Sequence, residues 1–240
     1  MPFSRAVVPV APTSLDALTA AMAGIGMNFA TARATDPNIE DTLLFASIEA
    51  MENHDLRVLA VLVTWFSVHA TWVNADRLTR IVAAENSTRV RALWSALARW
   101  HGRDRRFARL AKLHAAARID LLAVGTDFQL HRYGEDPRFV GGPLRVPANV
   151  LRDRAADIEQ PAQLSRRHHA YRCRILIGPT YRADMWAALE AEPTLAAAAL
   201  ARKTYGSFAT AWHVRRDFAL LAESPTVKRN ALSRIPACPQ

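Results

Sequence analysis

Apolar positions recur at helical spacing through most of the first hundred residues. Leu78, Ile81 and Val82 share one face of a segment 75–84 that opens at Asn74. Val90, Leu93, Trp94, Leu97 and Trp100 form a stripe over 88–101, behind the N-cap type residue Ser87. Looser versions of the pattern cover 13–32, starting at Thr13 or Ser14, and 39–53, starting at Asn38. Residues 55–70 are apolar nearly all round, which predicts a buried central helix. Its apolar run, Val58 to Val68, falls well short of the ~20 residues a bilayer span needs. A basic helix is expected over 104–117, completing an all-helical bundle.

The pattern then changes. Ile119–Val124 and Phe128–Tyr133 read as short strands joined by Gly125-Thr126-Asp127, a hairpin loop by length and composition. The Pro/Gly-rich passage from Gly134 to Pro147 reads as a boundary. A polar helix is expected around 148–158, a strand over Tyr171–Ile177 ended by Gly178-Pro179, and helices over 181–191, 194–203 and 208–222. The fold class expected is mainly α with a few short strands. It divides into a helical amino-terminal domain (1–133), a linker region (134–160), a winged-helix-like carboxy-terminal domain (161–224) and a loose tail (225–240).

Charge sharpens this division. The chain carries 31 Lys+Arg against 22 Asp+Glu, a net +9. Only Lys112, Lys203 and Lys228 are lysines, so arginine, the bidentate reader of phosphates, carboxylates and guanine edges, dominates. Codon bias produces the same excess without any function. Residues 1–60 run the other way, with Arg5, Arg33 and Arg57 against Asp16, Asp36, Glu40, Asp41, Glu49, Glu52 and Asp55. That asymmetry favours a polyanion partner for the later part, and either dimerisation or a protein partner for the acidic start. The densest basic stretch, Arg89 to Arg118, is opposed only by Asp104 and reads as a solvated face or a second polyanion surface.

The strongest constellation lies at 194–221. A short helix ends near Lys203, a turn follows at Thr204-Tyr205-Gly206, and Ser207 caps a second helix on which Ala211, Val214, Phe218 and Leu221 make one apolar stripe. This resembles the helix-turn-helix of bacterial DNA-binding proteins, with Leu200, Ala201, Thr204, Ala211 and Val214 at the motif's buried positions. The strand at 171–177 ahead of three helices fits a winged variety. One departure is plain: the motif's turn glycine aligns with Tyr205, and the glycine sits one place later, at Gly206. The resemblance implies a cytoplasmic transcriptional regulator that binds double-stranded DNA, commonly as a homodimer. Its DNA-binding residues are then Arg202, Lys203, Ser207, Phe208, Ala209, Trp212, His213, Arg215 and Arg216. More narrowly the chain is similar to the antitoxins of type IV nucleotidyltransferase toxin–antitoxin systems, which implies toxin neutralisation and autorepression. Those proteins carry the reader at the amino terminus, whereas here it is carboxy-terminal. The competing class is an RNA- or protein-binding helical module whose hairpin is only structural.

Enzyme signals are thin. No G-x-S-x-G, P-loop, G-x-G-x-x-G or H-E-x-x-H occurs. His168-His169 with Cys173 suggests a metal, yet no further Cys/His cluster completes four ligands. Cys173, in a predicted strand, reads as buried rather than nucleophilic. No catalytic, cofactor or metal residue is therefore expected. Two cysteines 65 positions apart make no disulfide framework. The amino terminus, broken by Pro9 and Pro12, lacks a signal-peptide pattern, which points to the cytosol.

Overall fold

The structure, a computed structural model, describes residues 7–223, and the tail expected over 225–240 lies outside them. The chain is mainly α. Helices α1 (Leu15–Gly24), α2 (Ile39–Glu52), α3 (Leu56–His69), α4 (Ala75–Ala84) and α5 (Thr88–Trp100) form the first bundle. Each begins at a side chain that accepts an otherwise orphaned amide: Ser14, Asn38, Asp55, Asn74 and Ser87. α3 is the central helix, with Leu59, Leu62, Val63, Trp65 and Phe66 fully buried. Its Trp65 indole donates to Ile25 O (2.8 Å), and the Trp94 indole of α5 donates to Ser47 Oγ (2.9 Å). Both large rings are thus buried without an unpaired N–H. α1 stops at Gly24, well before residue 32. A Cβ there would lie 2.7 Å from Ala34 O, so the chain turns back across the helix end.

The segment 102–160 departs furthest from expectation. The predicted basic helix 104–117 is two 3₁₀ turns, Arg105–Phe107 and Leu110–Lys112. The segment buries Phe107, Leu110 and His114, and the 3₁₀ turns set the first two, three apart, against the bundle. The predicted hairpin is not formed. Residues Ile119–Asp120 (β1) pair in parallel with Leu144–Arg145 (β2), in register Ile119↔Leu144. Parallel pairing needs a crossover. It is supplied partly by α6 (Thr126–Tyr133), which occupies the second predicted strand. Gly125 (φ 79°) takes a left-handed conformation, so that Thr126 and Asp127 open a helix rather than close a turn. Residues 134–160 contribute Phe139, Leu144, Val146, Leu151 and Ile158 to the main core. In place of a helix over 148–158 there is one 3₁₀ turn, Ala155–Asp157.

The carboxy-terminal part is helical throughout: α7 (Pro161–Arg167), α8 (His169–Ile177), α9 (Tyr181–Ala191), α10 (Ala197–Thr204) and α11 (Phe208–Glu223). α8 replaces the predicted strand at 171–177. Its buried residues are Tyr171, Cys173 and Arg174, and the fully enclosed arginine disguised the helical spacing. Among the described residues 161–223 there is no strand, so the three last helices carry no wing there.

Candidate functional site

The last three helices share a small core. Met185 and Leu189 of α9, Ala197, Leu200 and Ala201 of α10, and Ala211 and Val214 of α11 are buried against one another. Alanines at 201 and 211 allow α10 and α11 to cross closely. Between them, Tyr205 takes the left-handed conformation (φ 57°, ψ 18°) that a turn glycine ordinarily holds. Its ring lies under the Arg77 guanidinium, 4.8 Å from the centroid, and that contact offsets part of the strain. Gly206 is needed for a different reason. A Cβ at that position would run into the terminal methyl of Met185, so the glycine serves close packing of the turn on α9.

Ser207 caps α11, its hydroxyl accepting from Thr210 N (3.0 Å). The sequence-predicted residues on α11 lie together on its exposed side. Phe208 is 59% and Trp212 49% exposed, large values for apolar side chains. Ala209, His213, Arg215 and Arg216 are exposed with them. Trp212 is edge-on to His213, and the Arg216 guanidinium lies 5.6 Å from its ring centroid. Arg216 also pairs with Asp217 (2.9 Å), which in turn accepts from Arg182 (2.7 Å). Those two arginines hold the Asp217 carboxyl below its usual range. Arg202 and Lys203 sit on the last turn of α10, where Lys203 pairs with Glu192.

A buried ionic network anchors this unit to the bundle. Arg174 of α8 donates to both oxygens of Glu40 on α2 (2.6 and 2.8 Å) and to Asp184 on α9 (2.8 Å). Arg77 of α4 donates to Asp41 (2.7 Å) and faces Tyr205. Burial pushes the Glu40 carboxyl up, but the Arg174 and Arg77 charges and hydrogen bonds outweigh it, and the group lies below its ordinary pKa. Beside the network, His69 is bridged between the Tyr171 hydroxyl (Nδ1, 2.7 Å) and Glu159 O (Nε2, 3.0 Å). The neutral tautomer protonated at Nε2 satisfies both contacts. Burial drops its pKa to about 4. In the sequence Glu40 and Asp41 stand out only as two of the acidic residues of an early helix. Their side-chain partners come from residues 31 or more positions away, and no local pattern marks them.

The basic stretch 89–118 has a structural use. Arg89 donates to Met51, Asp120 and Leu121 carbonyls, and Arg118 to Gly142 O (2.7 Å) while pairing with Glu135. Arg106 chelates Asp104 and reaches Val73 and Ala70 carbonyls. The guanidinium fork thus satisfies backbone acceptors where regular structure fails.

A cleft of about 290 Å³ opens between α2, α8, α9 and the end of α10, lined among others by Arg77, His168, His169, Asp184, Lys203 and Thr204. His168 is occupied as the α8 cap, accepting from Tyr171 N (3.2 Å). At the cleft's edge His169 and Cys173 of α8 meet Glu190 of α9. Comparison with family models, curated proteins and solved structures finds no match to this chain. No helix among the described residues is long and apolar enough to cross a membrane.

Proposed function

We propose that α11 is the recognition helix of a three-helix, helix-turn-helix reader of double-stranded DNA, in a bacterial transcriptional regulator. The observation that carries this reading is the exposed face of α11. There Phe208, Ala209, Trp212, His213, Arg215 and Arg216 stand clear of the core, while Ala211 and Val214 bury the opposite side. In such a reader the first residues of the second helix meet base edges, and flanking cations meet phosphates. Ala209, Trp212, His213 and Arg216 take the first role. Arg202, Lys203 and Arg215 take the second, with the capped start of α11 at Ser207 offering its helix dipole to a phosphate. Anchoring of Tyr205 by Arg77 supports it too, because a reader helix must be held rigidly on its scaffold. A homodimer belongs to the proposal, setting two copies of α11 at successive major grooves ~34 Å apart.

A second reading, a protein-binding module such as a toxin-binding face, is favoured by the exposed rings of Phe208 and Trp212, which a protein interface would bury. Salt dependence separates the two. Fluorescence anisotropy with mixed-sequence duplex DNA should give binding that weakens steeply as salt rises. The Arg202→Ala, Arg215→Ala, Arg216→Ala triple variant should reduce the log–log slope by about 0.9 per phosphate contact removed. Unchanged affinity in that variant, with its helical circular dichroism intact, would falsify the assignment. So would an absence of duplex binding by the full chain at low salt.

A further inference from the structure

The clearest chemistry outside α11 lies between α8 and α9. His169 and Cys173 are spaced i, i+4, so a single helical turn places both on one face. Glu190, near the end of α9, reaches in from the neighbouring helix. Its Oε2 is 2.6 Å from His169 Nε2 and 3.6 Å from Cys173 Sγ. One ligand atom from each of the three lies within 4.8 Å of the others. Tetrahedral bonds of about 2.3 Å to sulfur and 2.0 Å to nitrogen and oxygen require ligand separations of roughly 3.3–3.5 Å. The sulfur–carboxylate distance already matches, the His169–Glu190 pair has to open by less than 1 Å, and the widest pair, His169 with Cys173 at up to 4.8 Å, has to close by about 1 Å, which rotation of the His169 and Glu190 side chains can supply. The second carboxylate oxygen is held from outside the cluster by the Trp186 indole (Nε1 to Oε1, 3.0 Å), which orients Glu190 as an outer-shell partner orients a metal ligand.

We propose that His169, Cys173 and Glu190 form a binding site for a zinc-type divalent cation, which clips α8 to α9. A thiolate, an imidazole and a carboxylate are a borderline-soft donor set suited to Zn²⁺ and Co²⁺ rather than to Mg²⁺ or Ca²⁺. Three protein ligands leave a fourth position for water, and the partial exposure of His169 and Glu190 gives the ion an entry path. Binding puts the ion in place of the proton held between His169 Nε2 and Glu190 Oε2 and of the Cys173 thiol proton, so affinity falls as pH falls. Buried in an apolar setting beside Glu190, that thiol is otherwise inert, with its pKa pushed up to about 12. None of the three ligands is among the residues assigned to DNA on α10 and α11, so the inference goes beyond the DNA reading and stands independently of it.

The test uses the full chain, stripped with a chelator and titrated with Co²⁺. One equivalent should bring up a thiolate-to-cobalt charge-transfer band, which added Zn²⁺ then bleaches. Cys173→Ser should abolish the band, while Cys238→Ser should leave it intact. His169→Ala and Glu190→Gln, both at partly exposed side chains and monitored for fold by circular dichroism, should weaken binding at least tenfold. Zn²⁺ should raise the thermal midpoint of the wild-type chain and not that of His169→Ala. Absence of the charge-transfer band overturns the site. So does its persistence in Cys173→Ser, its loss in Cys238→Ser, or unchanged affinity in the His169 and Glu190 variants.

Discussion

Replacing Arg174 with methionine tests how the carboxy-terminal helices are held. Arg174 is 1% exposed and Glu40 0%, and the pair is bidentate, with Asp184 on the remaining guanidinium edge. Methionine conserves much of the volume and removes the charge. Glu40 is then left with the Asn74 amide (2.8 Å) and with Arg77 at 3.9 Å, which already serves Asp41. Breaking a buried pair from one side costs about 3–5 kcal/mol, because the surviving charge stays desolvated. For a chain of this size each kcal/mol moves the midpoint by about 2–4 °C, so a fall of roughly 6–20 °C is expected. Adding Glu40→Gln to Arg174→Met removes the orphaned charge and should restore about half of the loss. Thermal and urea unfolding followed by circular dichroism measure both. A single-variant cost below about 1 kcal/mol would refute the reasoning. A double variant less stable than Arg174→Met would refute it as well, since the penalty would not then come from an uncompensated Glu40.

Three further outcomes follow from the same geometry. His69 is neutral in the fold with a pKa of about 4 against an ordinary 6.5, so the unfolded chain takes up a proton that the folded chain refuses. Its contribution is complete above pH 6.5 and declines as pH falls toward 4, by about 3 kcal/mol in all; in urea unfolding His69→Gln should remove that share of the decline and leave the share from His168, whose pKa burial also lowers to about 4. Gly206→Ala forces the buried Met185 methyl to move and should cost about 1–3 kcal/mol. The same change with Met185→Ala should cost less than the sum of the two, and strict additivity would refute the contact. Arg118→Ala removes the donor to Gly142 O and the ion pair to Glu135, and should lower the midpoint without altering duplex affinity; a selective loss of DNA binding would give the 89–118 stretch a role beyond carbonyl capping.

The helices of the first bundle were legible in the sequence because their signals are local. Ser14, Asn38, Asn74 and Ser87 each accept an amide three residues ahead, and the stripe from Val90 to Leu97 buries at its own period. The α10–turn–α11 unit was equally readable, since Leu200, Ala201, Ala211 and Val214 mark their buried faces by spacing alone. What failed was whatever depends on a distant partner. Phe128–Tyr133 alternates like a strand, but β1 takes Leu144–Arg145 as its neighbour, and the intervening residues are free to wind into α6. Tyr171–Ile177 alternates too, because Arg174 counts as polar until Glu40 and Asp184 enclose it. That misreading also separated His169 from Cys173, and nothing local joined Glu190 to them. In a strand, residues four apart are separated by about 13 Å, and in a helix by about 6 Å. Cys173 therefore gains His169 as a neighbour only when α8 forms, and Glu190 only when α9 packs against it. Caps and stripes are written within one or two turns of chain. The ionic network and the His169–Cys173–Glu190 cluster are decided by which helices meet, since a charge or a ligand enters the interior only where another element supplies its partner.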